Sequence, residues 1–318
     1  MLDFKKEVIA AEQRIRTSIR ETPLEHSLSI SKLTQTQCYL KCENLQYTGS
    51  FKVRGALNTL LSLTPDQKSQ GVVTASSGNH GAAVAFGIKK LNIPGLIFVP
   101  EHVSPTKADN IRQYDAQLKL YGTDCVQAEF HAIEYATLHQ KTYISPYNNA
   151  QVIAGQGTLG LELLRQLNQI DVILVPVGGG GLISGIAGFI KAVSPRTKVI
   201  GCLPEHSPVM AESIKAGTII EMNSLPTLSD ATAGGIETGA MTFNLCQRYV
   251  DDWILVSEQE ISNAIITLLQ THHMLVEGAS GVALAALIKN AEHFSSQNVV
   301  VVLSGANIGL DTLKTILI

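Results

Sequence analysis

The chain has little charge, few aromatics and no long apolar run, and each shortage removes a class of function. Charged residues make up 16% of the 318 positions and the formal net charge is −3. Neither nucleic acid nor a membrane surface is therefore expected as the main partner. No apolar stretch is long enough to span a bilayer, and the opening residues, 1–7, have neither an apolar core nor a cleavage-site pattern, so no signal peptide is expected. The five cysteines, at 38, 42, 125, 202 and 246, include no CxxC pair. They read as reduced, cytoplasmic residues, neither a disulfide frame nor a zinc site. HExxH is missing too, which removes support for metal proteolysis, and there is no internal repeat or low-complexity tract.

What is present is alternation. Strand-like runs at 71–74, 96–99, 119–121, 172–177, 198–200, 253–256 and 298–303 are separated by helical patterns. Most of these runs are apolar throughout, as strands covered on both faces should be, so the class is α/β with mainly parallel sheets and helices on both faces. Helix starts are legible at Ser104-Pro105, a cap before proline, and at Ser257 with Glu260, a capping box. The turn-rich stretch Ser145-Pro146-Tyr147-Asn148-Asn149 marks the expected seam where the chain returns from a small domain to a larger one.

The most informative stretch is Gly178-Gly179-Gly180-Gly181, which lies between an apolar strand and a helix of small and apolar residues. Glycines there let the backbone close on a ligand, and the unpaired N–H groups of the first helical turn favour an anion. The pattern implies a phosphate without saying whose. Three further segments point to the same kind of site. In the first, residues 48–56, Ser50 is expected to cap a helix carrying Lys52 in its first turn, where burial and the helix dipole favour the neutral, nucleophilic amine. A single lysine at a helix start is more often just a solvated surface residue. The second, Ser76-Ser77-Gly78-Asn79-His80-Gly81, ends a strand and opens a helix, offering N–H groups, hydroxyls and an amide; alone it could be a capped turn. The third puts Ser304 at the carboxyl end of the last strand, where open α/β sheets bind ligands, although a serine there is usually a helix cap.

Taken in order, SFKVRGA, SSGNHG, AGQGT (154–158) and GGGG resemble the threonine/serine dehydratase and serine racemase family of fold type II pyridoxal-phosphate enzymes. The resemblance runs from about Arg20 to Asn307 and implies a two-domain, tryptophan synthase β-like fold. It implies a large cofactor-binding domain, residues 1–70 with 148–318, a small mobile domain, residues 71–147, and a homodimer. It further implies pyridoxal 5'-phosphate as cofactor, joined to Lys52 as a Schiff base, with Phe51 beside the ring and Asn79 on the ring hydroxyl. Gly178 to Gly181 would hold the phosphate and Ser304 would meet the pyridine nitrogen. Ser76, Ser77 and His80 would surround the substrate carboxylate. In this chemistry the freed Lys52 amine takes the Cα proton while the cofactor acts as an electron sink. The expected reaction is loss of water from a small β-hydroxy amino acid such as L-threonine or L-serine, giving a 2-oxo acid and ammonia.

Departures from the family pattern bear on the branch. Ser77 is the second base in racemases and is often alanine in dehydratases, so racemisation stays open. Tyr147 stands where dehydratases carry an aromatic and racemases an asparagine, which leans toward a lyase. The racemase-branch divalent metal needs two acids where this chain has Leu203 and Val209, so no metal is expected. Residues 228–237 replace the usual TIADG stretch and resemble the hydroxyectoine-utilization dehydratase branch, so another hydroxy amino acid, including one of 3-hydroxyaspartate type, is an alternative substrate. Glu277 matches a family glutamate near the cofactor. With the chain ending at Ile318, feedback inhibition through an appended regulatory domain is not expected. Two rivals are weighed: a dinucleotide fingerprint at 179–184 lacks its third glycine and leaves Lys52, Asn79 and Ser304 unexplained, and a non-catalytic amino-acid-binding protein stays open because a family fold does not guarantee family chemistry, with bound cofactor colour lost in Lys52→Ala counting against both.

Overall fold

The structure, a computed structural model, describes residues 2–318. Near the start of the chain, β1 (Leu24–His26) and β2 (Gln37–Cys42) pair antiparallel. The chain then builds a parallel sheet of its own from β3 (Val72–Ala75), β4 (Gly95–Val99), β5 (Gln117–Leu120) and β6 (Thr142–Tyr143), in the order β5-β4-β3-β6. It returns through residues 145–149 to complete the first sheet with β7 (Val172–Pro176), β8 (Lys198–Pro204), β9 (Asp252–Val256) and β10 (Asn298–Leu303). That six-stranded sheet runs β1-β2-β10-β7-β8-β9 and is parallel except at β1.

Strand alternation sorts the apolar side chains into layers. In β10, Val299, Val301 and Leu303 enter the core on one face of the sheet, while Val300 and Val302 enter the core on the other. The same parity holds in β7, where Leu174 and Ile173 fall on opposite sides. Both faces are therefore covered by helices, and this is why the runs read as continuously apolar. The caps at Ser104 and at Ser257 with Glu260 form as the residue types dictate. Among the described residues, no helix is long and apolar enough to cross a membrane.

The strand order sets the functional edge. β7 and β10 are parallel neighbours, so the segments that leave their carboxyl ends, the tetraglycine loop and Ser304-Gly305, emerge side by side.

Candidate active site

Lys52 is the first residue of the Lys52–Ser62 helix, but Ser50 does not cap that helix as the sequence leads one to expect. Ser50 instead forms an antiparallel bridge with Gly305, and the Phe51 N–H donates to the Ser304 carbonyl at 3.0 Å. The backbone is thus extended at Ser50, its hydroxyl is buried without a hydrogen-bond partner, and Phe51 takes the cap position without a side-chain bond. This pairing joins the start of the lysine helix to the end of β10. Two residues along, the fully buried Arg54 bonds Glu43 at 2.7 and 2.8 Å and Glu162 at 2.8 Å, and Lys41 adds a 2.6 Å contact to Glu162. Burial pushes the Glu162 carboxyl up, but Arg54 and Lys41 outweigh it and hold it at about 2. The close approach of the Ala150–Gln166 helix needs glycine at 155, where an added Cβ would lie 2.7 Å from the Arg54 carbonyl. The AGQGT motif is therefore a packing surface for the lysine helix.

The Lys52 side chain ends inside the protein, where its Nζ donates to the Pro146 carbonyl at 2.8 Å and lies 5.4 Å from the centre of the Phe51 ring. Burial lowers its pKa to about 8, with Glu277 and Glu129 opposing the shift. A substantial neutral fraction of the amine at ordinary pH follows from this environment.

After β3, Ser76 and Ser77 are half-buried, and Ser76 Oγ accepts from the Gly78 N–H at 3.2 Å. Asn79 opens the Asn79–Leu91 helix, with its side chain fixed from two sides. Its Nδ2 donates to both Glu277 oxygens at 2.9 and 3.1 Å, and its Oδ1 accepts from Asn307 at 2.5 Å. Burial raises the Glu277 carboxyl to about 7, against the hydrogen bond from Asn79. The His80 ring turns away onto the Ile144 carbonyl at 3.0 Å, and burial, with Lys52 nearby, lowers its pKa to about 3. It is a neutral, internally bonded imidazole.

The tetraglycine loop connects β7 to the Gly181–Val193 helix, and Gly180 has a φ of +84°, a conformation glycine adopts freely. A Cβ at Gly179 would lie 2.6 Å from the Tyr147 ring, so this ring lies directly on the loop. The Tyr147 hydroxyl accepts from the Glu237 N–H at 2.9 Å, and Asn148 Oδ1 accepts from the Met241 N–H at 2.8 Å. The segment at 146–148 therefore touches Lys52, the glycine loop and the far end of the 228–237 stretch. Glu129 and Tyr143, which no local pattern in the sequence marks, also belong here: Tyr143 donates to Glu129 at 2.9 Å, and Glu129 acts electrostatically on Lys52. Leu203 and Val209 are buried, and Glu205 pairs with Lys289 at 3.2 Å.

These residues fit a phosphorylated aromatic aldehyde. The glycine loop leaves no room for side chains and places a helix N-terminus behind the anion. Ser304 Oγ is buried at the neighbouring strand end without a hydrogen-bond partner, and so are Ser50 Oγ and Thr48 Oγ1. A buried hydroxyl of that kind is costly unless a ligand atom meets it.

Comparison with known proteins agrees with this site. A family model described as pyridoxal-phosphate dependent enzyme matches residues 15–305. An L-threonine ammonia-lyase of Thermotoga maritima is 37% identical over 312 residues, which cover 98% of this chain and 77% of that protein. Among solved structures, the processed form of threonine deaminase isoform 2 from Solanum lycopersicum aligns with a TM-score of 0.94 at 33% identity, covering 98% of this chain and 91% of the other. Maize serine racemase aligns with a TM-score of 0.92 at 33% identity, covering 98% and 95%. The chain belongs to the pyridoxal-phosphate dependent enzyme family, with the fold type II architecture of these relatives.

Proposed function

We propose that this member of the pyridoxal-phosphate dependent enzyme family eliminates water and ammonia from a small β-hydroxy amino acid, L-threonine or L-serine, releasing a 2-oxo acid. The observation that carries the reading is the enclosed Lys52 amine, with its pKa lowered to about 8, beside the strand ends that bear the tetraglycine loop and Ser304. The names of the relatives, L-threonine ammonia-lyase and threonine deaminase, supply the substrate class. Pyridoxal phosphate, when bound, supplies an electron sink for the charge left at Cα.

The chain's own residues divide the remaining work. Gly178, Gly179, Gly180 and Gly181 would hold the phosphate through backbone N–H groups, and the unpartnered Ser304 hydroxyl would meet the ring nitrogen. Phe51 would lie beside the ring, and Asn79, oriented by Glu277 and Asn307, would meet the ring hydroxyl. Lys52 would be the attachment point and, once freed, the base that takes the Cα proton. Ser76 and Ser77, with the first turn of the Asn79–Leu91 helix, receive the substrate carboxylate. The His80 side chain is committed to Ile144, so its contribution is to brace that turn against the segment that follows β6. Tyr147 covers the glycine loop and closes the substrate side of the cleft. The Cα proton and the β-hydroxyl together leave as water, and the resulting enamine takes up one water to give the 2-oxo acid and ammonia.

Ser77 is a candidate second base, motivated by the likeness to maize serine racemase. D-serine formation from L-serine, lost in Ser77→Ala, is its readout. The same reading assigns residues 1–70 with 148–318 to a large cofactor-binding domain and 71–147 to a small mobile one, in a cytoplasmic homodimer. Sedimentation of the purified protein at twice the chain mass tests the dimer. The function itself is tested by 2-oxo acid release from L-threonine and L-serine by cofactor-loaded protein.

A further inference from the structure

The tetraglycine loop has a second helix against it. A Cβ at Gly180 would lie 3.1 Å from the Thr242 Cβ, and Thr242 stands in the first turn of the Met241–Tyr249 helix. One turn further along, Cys246 Sγ lies 3.5 Å from Ser184 Oγ, and Ser184 is in the first turn of the Gly181–Val193 helix. At their far ends the two helices share the Phe4 ring, which a Cβ at Gly188 would strike at 2.4 Å and which meets the Tyr249 ring at 5.4 Å between centroids. Contacts that advance together along both helices mean that the two run side by side in the same direction. Their N-termini therefore open at the same place, the glycine loop, and the positive ends of two helix dipoles meet there.

The Thr242 hydroxyl has no outlet inside the protein. Thr59, Thr137 and Thr267, within helices, give theirs to the carbonyl four residues back. Thr242 is the second residue of its helix, so that carbonyl belongs to Thr238, outside the helix, and Thr242 Oγ1 is buried without a hydrogen-bond partner. No side chain caps this helix either, since Ala240 stands at the cap. A buried hydroxyl left in that state is costly, and valine, of the same shape, would avoid the cost. The residues that a Cβ on the four glycines would meet are Thr232, Tyr147, Met210, Thr242 and Cys246, with no lysine or arginine among them. Thr232 and Tyr147 have their hydroxyls bonded elsewhere, to the Ser229 carbonyl and the Glu237 N–H. Among these side chains, the unspent hydroxyl is that of Thr242.

Resting on the assignment of the loop to the cofactor phosphate, we propose that Thr242 is a further phosphate-binding residue. Its hydroxyl donates to the phosphate, which sits between the N-termini of two parallel helices.

The test is a spectral titration of the apoenzyme with pyridoxal phosphate and with pyridoxal, which lacks the phosphate, on wild type, Thr242→Val and Thr242→Ser. Valine keeps the shape and removes the donor, and serine keeps the donor. Thr242→Val should bind pyridoxal phosphate at least about tenfold more weakly with pyridoxal binding unchanged, while Thr242→Ser retains most of the affinity. Inorganic phosphate, competing for the loop, slows cofactor capture by the wild type, and its half-inhibiting concentration should rise about tenfold in Thr242→Val. Because the hydroxyl is unpartnered in the apoenzyme, Thr242→Val should unfold at no lower urea concentration than the wild type, which separates a lost donor from a damaged fold. Equal affinity of wild type and Thr242→Val for pyridoxal phosphate, a parallel loss for both forms of the cofactor, or earlier unfolding of Thr242→Val overturns the proposal. If the wild type binds the two forms equally and ignores inorganic phosphate, the loop is not the phosphate site, and the proposal falls with that assignment. None of these readouts needs turnover, so a failure of the elimination reading is told apart from a failure here.

Discussion

The pH dependence of cofactor capture follows directly from the surroundings of Lys52. An ordinary lysine amine near 10.5 is neutral in only about three molecules in ten thousand at pH 7. With its pKa lowered to about 8, Lys52 is neutral in about one molecule in ten at that pH, a gain of roughly 300-fold in nucleophile. The capture rate of pyridoxal phosphate by the apoenzyme should therefore rise about tenfold from pH 6 to 7, about fivefold from 7 to 8, and less than twofold from 8 to 9. Stopped-flow absorbance, with free cofactor in excess, measures this profile. The sign of a second shift is also fixed. Glu277 raises the Lys52 pKa, so Glu277→Gln should move the inflection below that of the wild type. A wild-type rate that keeps climbing tenfold per unit through pH 10 would refute the reasoning, because it would mean a solvated lysine.

Three further perturbations separate structure from chemistry. Arg54→Ala leaves the buried carboxylates of Glu43 and Glu162 without their guanidinium and should cost about 3–5 kcal/mol in a denaturant titration. Ser304→Ala removes a buried hydroxyl that has no partner, so the apoenzyme should gain about 1 kcal/mol of stability while its affinity for pyridoxal phosphate falls in a spectral titration. Gly179→Ala drives a Cβ to 2.6 Å from the Tyr147 ring, and the displaced loop should lose at least about tenfold in cofactor affinity with helix content unchanged by circular dichroism.

Much of this was legible wherever local chemistry decides the outcome. The apolar run at 298–303 matches β10 end to end, and the run at 172–177 contains β7, because strands buried on both faces need no polar alternation. Strands β1, β2 and β6 were not legible. β2 reads Gln-Cys-Tyr-Leu-Lys-Cys, and its Lys41 is buried only because Thr22, Glu162 and Gln166 converge on the ammonium from other segments. β1 and β6 are three and two residues long, below any periodicity.

At the site, motif residues could be named from sequence, but their connections could not. Ser50 has the residue type of a helix cap, yet Gly305, distant in sequence, takes its backbone into a bridge. Glu129 lies mid-helix with nothing around it to mark a functional residue, and only the fold of residues 125–143 carries it to Tyr143 and toward Lys52. The Pro146 carbonyl that holds Lys52 is invisible to any pattern of side chains.

The measurement that bears most directly on the central claim is the release of 2-oxo acid from L-threonine and L-serine by purified, cofactor-loaded protein, with D-serine followed in the same samples and Lys52→Ala run alongside. Release by the wild type and none by the variant is the predicted result. No 2-oxo acid from either amino acid, or undiminished release by Lys52→Ala, would contradict it.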